Sequence, residues 1–288
     1  MNQAHPHALH GTQHGHPQQH DTAGQAEILD LDAEVLAEHT ASITAWLPLK
    51  TAPRRIVDLG CGTGAGTFAL LDRFPDAQVT AVDASTGYLQ HLHAKACARG
   101  LEERVRTVQA DLDDSAWPDL GSPDLVWASA SMHHISHPDR ALRNVHDALA
   151  PGGLFAVVEL AGFPRFLPEG GPEERPGLEE RCHAATDRFQ AEHMPHRGAD
   201  WGPMLTAAGF AVEGKRTIAV NIDGSRNEAI GRYALNGLQR MRSAAAELSP
   251  EDLTALDELL DTGDPRSILR RDDLALRTER IVWAARRS

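Results

Sequence analysis

The chain has 288 residues, 41% of them hydrophobic, and a formal net charge of −13. That is enough apolar material for one α/β domain with helical additions. No apolar run approaches the ~20 residues needed to cross a bilayer, and the acidic balance argues against bare nucleic acid as a partner. The three cysteines, Cys61, Cys97 and Cys182, form no CxxC pair and read as reduced thiols of a cytoplasmic protein. Residues 1–26 lack the basic start and apolar block of a secretion signal.

Residues 1–24 hold His5, His7, His10, His14, His16 and His20 and almost no large apolar side chain. Such a segment buries too little surface to offset its ordering entropy, so a disordered tail is expected; metal binding is the alternative use of its histidines. From about residue 27 a helical period begins, with Ile28, Leu31, Val35 and Leu36 on one face. A second short helix through Ile43, Trp46 and Leu47 stops at Pro48. Residues 25–50 are therefore expected to form an N-terminal helical lid.

Five strand–helix alternations follow in residues 51–162. Apolar strands are predicted at 55–59, 78–82, 105–108, 124–128 and 154–159. Between them run helices with Phe68, Leu71 and Phe74, with Leu89, Leu92 and Ala96 behind a Ser85 cap, and with Leu142, Val145 and Leu149 behind Pro138. Strands apolar on both faces, separated by helices, imply a parallel sheet covered on both sides. Right-handed crossovers make it doubly wound. Residues 163–177 carry four prolines and read as a loop or lid hinge. Helices are expected near 179–192, 201–208, around Tyr233 to Met241, and from Ser249–Pro250 with Leu253, Leu256 and Leu260 inward. Strands six and seven fall at 210–222 and 280–285. Residues 163–288 thus complete the core and add helical insertions, for a seven-stranded, mostly parallel sheet.

The central observation is Asp58-Leu59-Gly60-Cys61-Gly62-Thr63-Gly64, between the first strand and the first core helix. Ligands bind there in open α/β sheets, and the glycines permit positive φ and close backbone approach. A tight turn without a ligand is the bland alternative. A nicotinamide fingerprint is the sharper one, because Gly60, Gly62 and Ala65 satisfy G-x-G-x-x-A and Asp83 lies near the ribose position. Asp58 before the loop, the third glycine Gly64, and Asp111 after strand three argue against it. A ligand with an amino-acid end, a ribose and an adenine uses all three acids, whereas a dinucleotide has no ammonium for Asp58.

These motifs resemble those of class I S-adenosylmethionine-dependent methyltransferases. Val57 through Gly64 resembles their first motif, Val82-Asp83-Ala84-Ser85 the second and Ala110-Asp111-Leu112 the third. Ala128 through Pro138 resembles the fourth, and Leu149-Ala150-Pro151-Gly152-Gly153-Leu154 the turn into strand five. The likeness covers residues 54–160 and is closest to the subfamily acting on small molecules, such as quinone precursors and natural products. It implies S-adenosylmethionine as cofactor, with S-adenosylhomocysteine as product. Gly60, Gly62 and Gly64 would pack on the methionine portion, together with Cys61 as a small loop residue. Asp58 would sit near the ammonium, directly or through water. Asp83, with Ala84, would receive the ribose, Asp111 and Leu112 the adenine, and Ala128 would border the cofactor.

Methyl transfer asks the protein mainly for alignment and water exclusion, with a base where the nucleophile is a hydroxyl or acidic carbon. His133, His134 and His137 follow strand four at the crevice mouth, and histidine suits such a base. The resemblance implies a pair between His133 or His134 and Glu159 at the end of strand five; packing over the cofactor is the other role for the histidines. Strand four lacks the Asn/Asp-Pro-Pro-aromatic sequence of amino-group methyltransferases acting on adenine or glutamine. Trp201, Met204, Tyr233 and Met241 either line an acceptor pocket or belong to the core. No metal cluster is visible in the core. The expected activity is methylation of an O, N or C atom of a small, partly apolar acceptor, with no nucleic acid or membrane partner. The alternatives are cofactor binding without transfer and a nicotinamide-dependent oxidoreductase.

Overall fold

The computed structural model describes residues 22–194, 196–244 and 247–288. Two helices, α1 (Thr22–Val35) and α2 (Ala37–Trp46), precede the core. The core runs β1 (Arg55–Leu59), α3 (Ala65–Arg73), β2 (Gln78–Asp83), α4 (Thr86–Ala98), β3 (Val105–Gln109), β4 (Leu125–Ser129), α5 (Pro138–Ala148) and β5 (Leu154–Leu160). Then come α6 (Leu178–His193), α7 (Trp201–Ala207), β6 (Phe210–Asp223), α8 (Ala229–Ala244), α9 (Pro250–Leu260) and β7 (Ala275–Arg287). The histidines expected in a disordered tail lie outside the described residues. Residues 22–24, assigned to that tail from the sequence, instead open α1.

The seven strands form one sheet in the order β3-β2-β1-β4-β5-β7-β6. Strands one to five are parallel, and β7 runs antiparallel between β5 and β6. Chain direction reverses its course across the sheet at β1, so the crevice between β1 and β4 is the switch point where such sheets bind ligands. Alternate residues serve opposite faces, as the two-residue period of a strand requires. Ile56, Val79, Leu125 and Trp127 pack with α1, α3, α4 and α8. Val57, Leu59, Val126 and Phe155 pack with α5 and α7.

The predicted caps are present: Ser85 accepts from Tyr88 N–H and Ser249 from Asp252 N–H. In α9 Leu256 and Leu259 are fully buried, while Leu253 and Leu260 pack at the margin. Strand seven begins five residues before its predicted start at Arg280. Its first half pairs only with β6, from Ala275 opposite Asp223 onward, as a two-stranded ribbon past the end of β5. The Pro-rich segment 163–177 contains no helix and makes one bridge, Arg165 to Arg277. No described helix is long and apolar enough to cross a membrane.

Candidate active site

The glycine turn takes its shape from neighbours inside the protein as much as from any ligand. Gly60, Gly62 and Gly64 all have positive φ, at 65°, 51° and 98°, where a side chain costs about 1–2 kcal/mol. A Cβ on Gly60 would stand 2.4 Å from Ser131 Cβ. Ser131, just past β4, donates from its Oγ to Leu59 O at 2.8 Å, stapling the β4 exit onto the turn. Gly62 lies under Leu29 of α1, 3.2 Å from where a Cβ would be. Gly64 caps α3 and is buried against Phe68 and Leu92. A side chain there would point at the protein interior, and its absence makes room for α4.

Asp83 ends β2 at the edge of this turn. One carboxylate oxygen accepts from Gly62 N–H at 2.9 Å and the other from Ser85 N–H at 2.8 Å. Partial burial raises its pKa, opposed chiefly by the backbone donors of Ser85 and Gly62. A carboxylate offers about four acceptor positions, so each oxygen keeps one for a ligand. Ala84 beside it is exposed. Asp58 lies beneath the turn, 2% exposed, and accepts from Thr67 Oγ at 2.6 Å. Burial pushes its pKa up to about 7, with the charge of Asp83 adding to the rise. Cys61 is buried, and its N–H donates to Val82 O. Burial and the two nearby acids push its thiol far up, which removes it as a nucleophile.

Asp111 is exposed and Leu112 half-buried on the outer rim. Next to them, Asp113 accepts the backbone N–H groups of Ser136 and His137, tying the loop after β3 to the loop after β4. Nothing in the sequence separates Asp113 from its acidic neighbours. Ala128 has no exposed surface. The pleat turns its methyl into the core, and the next three residues, Ser129, Ala130 and Ser131, are partly exposed. Ala130 adopts φ 51°, a strained conformation that turns the chain from β4 into the short helical turn Met132–His134.

That turn delivers the histidines. His133 is 2% exposed, and its Nδ1 lies 2.6 Å from Glu159 Oε2. Glu159, also 2% exposed, accepts Met132 N–H on its other oxygen at 2.8 Å. With Nδ1 engaged by the carboxylate, Nε2 is the ring nitrogen left for another partner. His134 is exposed and lies over His133, ring centroids 4.2 Å apart. The pairing expected for one of the two histidines therefore belongs to His133. His137 caps α5 and turns to Asp113, 3.5 Å away, outside this group. Trp201, Tyr233 and Met241 are buried core residues and Met204 packs at the margin, so a pocket built from them is not observed.

Two carboxylates unremarked in the sequence hold α1 over the turn. Asp30 accepts from Lys95 Nζ at 2.5 Å and lies 2.9 Å from His91 Nε2, both on α4. Asp32 accepts from Tyr233 Oη on α8 at 2.6 Å and from Arg280 Nη2 on β7 at 3.0 Å. No group of three or more potential metal ligands occurs among the described residues.

A doubly wound 3-2-1-4-5-7-6 sheet with a glycine turn and an acid at the end of β2 defines the class I S-adenosylmethionine-dependent methyltransferase fold. Residues 56–153 match the family described as a methyltransferase domain. Curated relatives include trans-aconitate 2-methyltransferases. That of Acidovorax sp. is 42% identical over 106 residues, 37% of this chain and 38% of the relative. That of Methylobacterium nodulans is 39% identical over 188 residues, 63% of this chain and 66% of the relative. The demethylmenaquinone methyltransferase of Thermus thermophilus is 37% identical over 41% of this chain and 53% of its own. The chain thus spans about two fifths of the length of the Acidovorax relative. Among solved structures, a Bacillus halodurans protein matches 87% of this chain and 99% of its own at 19% identity, TM-score 0.55. The [4+2]-cyclase SpnF matches 87% and 81% at 20% identity, TM-score 0.50. These two likenesses concern the fold.

Proposed function

We propose that the protein transfers a methyl group from S-adenosylmethionine to a small-molecule acceptor. The observation that carries this reading is Asp83. Its two oxygens are oriented by one backbone donor each, beside a glycine turn that lets a ligand approach the main chain. That fits a ribose with two hydroxyls. Asp83 would hold the ribose, Gly60 and Gly62 would border the methionine portion, and Asp111 with Leu112 the adenine. Asp58, whose carboxylate is disfavoured by burial, fits a cationic ammonium that would offset that cost, reached directly or through water. When bound, the cofactor supplies an electrophilic methyl group on a sulfonium.

The chain's own contribution is orientation, exclusion of water and one proton transfer. In the proposal His133 Nε2 takes the proton of the acceptor's nucleophilic atom, and Glu159 fixes the ring and balances the imidazolium that forms. α1 and α2 act as a lid clasped at Asp30 and Asp32, and α6, α8 and α9 enclose the acceptor. The net charge of −13 favours a small acceptor over nucleic acid. The three unpaired cysteines favour the cytosol. The fold also carries a [4+2]-cyclase, so topology alone does not select methyl transfer; the buried His133–Glu159 pair supports a reaction that needs a proton acceptor.

The test is calorimetric titration with S-adenosylhomocysteine, with NADH as control. The homocysteine product is expected to bind and NADH not. Asp83→Ala should weaken binding about 30-fold, about 2 kcal/mol, because ribose hydroxyls lose a charged acceptor. Binding of NADH alone, or undiminished affinity in Asp83→Ala, would sink the reading.

A further inference from the structure

Past the C-terminal end of β5, two buried nitrogens from different segments have no hydrogen-bond partner. One is Nε2 of His183 on α6, a residue only 8% exposed. The other is Nη1 of Arg165, six residues beyond Glu159. The nearest acid to Arg165 is Glu180, whose Oε1 is 3.6 Å away, too far for a hydrogen bond. The two side chains share one electrostatic environment. Burial first, and then the positive charge of Arg165, hold the His183 pKa down at about 4. Arg197 acts in the same direction, while Asp187 and Glu180 oppose it. His183 is therefore neutral at physiological pH and offers a donor N–H rather than a second charge.

Buried donors left without acceptors are uncommon in folded proteins and costly to keep. The backbone around them is already satisfied. Arg165 pairs with Arg277 through the main chain, and Glu179, one turn before His183, accepts the N–H groups of Phe166 and Leu167. What is missing at this spot is an acceptor, and a guanidinium beside a neutral imidazole selects an anionic one. A carboxylate can accept from either donor, and the charge-assisted bond to arginine is the stronger of the two.

Position says whose carboxylate it is. β5 is two strands away from β1 in the order β1-β4-β5, about 10 Å at the ordinary strand spacing. The glycine turn that would hold the cofactor's methionine end follows β1. A site following β5 is separated from that turn by the His133–Glu159 pair along the sheet order, the side left for an acceptor. We propose that Arg165 and His183 form the receptor for a carboxylate of the acceptor, which makes the substrate a small organic acid. The word acceptor rests on the methyl-transfer reading above; the carboxylate receptor rests on these two residues.

The experiment uses the full chain saturated with S-adenosylhomocysteine and titrates glutarate against its neutral analogue glutaramide. Binding is followed by calorimetry and by the His183 ring resonances. The diacid is expected to bind at least tenfold more tightly than the diamide and to shift the His183 signals. Arg165→Met should abolish that preference while S-adenosylhomocysteine affinity stays within twofold. His183→Gln, which keeps a donor, should retain more of the preference than His183→Leu. Equal binding of acid and amide by the wild-type protein, which needs no variant to fold, would overturn the proposal. So would a preference unaffected by Arg165→Met, or a loss of S-adenosylhomocysteine affinity in that variant, which would assign the anion to the cofactor. If the wild-type protein binds no S-adenosylhomocysteine yet prefers the diacid in its absence, the methyl-transfer reading fails and the carboxylate receptor stands.

Discussion

The two halves of the sheet solve different problems. In the half formed by β1 to β4, conformation is dictated by backbone requirements. Three glycines sit at positive φ, Asp83 collects two N–H groups, and Ser131 fills the space a Gly60 side chain would need. In the half formed by β5, β7 and β6, side chains hold the parts together. Asp252 at the start of α9 binds Arg175 and Arg181, and Asp32 joins α1 to Tyr233 and Arg280. The first arrangement tolerates few residue types at each position. The second tolerates many, which suits the part of a molecule that adapts to its acceptor.

The sharpest break of that contrast is Gly60→Ala. Positive φ and the 2.4 Å approach to Ser131 together should cost about 3 kcal/mol and abolish S-adenosylhomocysteine binding. Thermal unfolding and calorimetry read both. Adding Ser131→Gly should recover part of the stability; no recovery would mean that φ alone makes the glycine necessary.

Glu159→Gln should come next, on rate and not on binding. An amide cannot balance an imidazolium, so turnover should fall about 100-fold with cofactor affinity preserved. His133→Ala should fall at least as far. Normal turnover in both would confine the pair to a packing role.

Asp252→Asn tests the side-chain half and should cost about 2 kcal/mol. The figure is kept below that of a fully buried pair because Arg175 and Arg181 are 36% and 40% exposed. The hydrogen bonds from Arg181 and Arg175 hold the Asp252 pKa well below the usual carboxylate range. Its contribution is therefore complete above about pH 4 and lost as pH falls further. Denaturant midpoints measured at pH 7 and pH 3 should differ less in the variant than in the wild type.

The smallest effect is a proton count. Asp58 titrates at about 7 in the free protein, and a cationic ammonium nearby would lower that value. Cofactor binding near pH 6.5 should then release a fraction of a proton, visible as a binding enthalpy that changes with the ionisation heat of the buffer. Asp58→Asn should remove the dependence. A buffer-independent enthalpy in the wild type would detach Asp58 from the ligand.

This division also explains what the sequence disclosed. The first half announces itself because backbone constraints leave few options. The glycine turn, the acids closing β2 and β3, and the strand periods at 55–59 and 78–82 were all legible. Motif position does not say which way Gly64 and Ala128 face; Leu92 and the β4 pleat decide that. The clasps at Asp30, Asp32 and Asp252 were hidden. Each joins residues about 65 to 250 positions apart, and an aspartate carries no local mark of a distant partner. Choosing His133 over His134 likewise required knowing which ring lies against β5.

The placement of β7 has a consequence for how the molecule is made. Residues 275–287 form the partition between β5 and β6, although β6 is synthesised some fifty residues earlier. Until the ribosome has delivered Arg287, β5 has a bare edge and β6 has no neighbour to join. The β1–β4 half can assemble during translation, but the β5–β6 half must wait and is then completed in a single insertion. A nascent chain arrested before residue 275 should therefore expose a sticky strand edge, and chaperones would meet this protein at that stage.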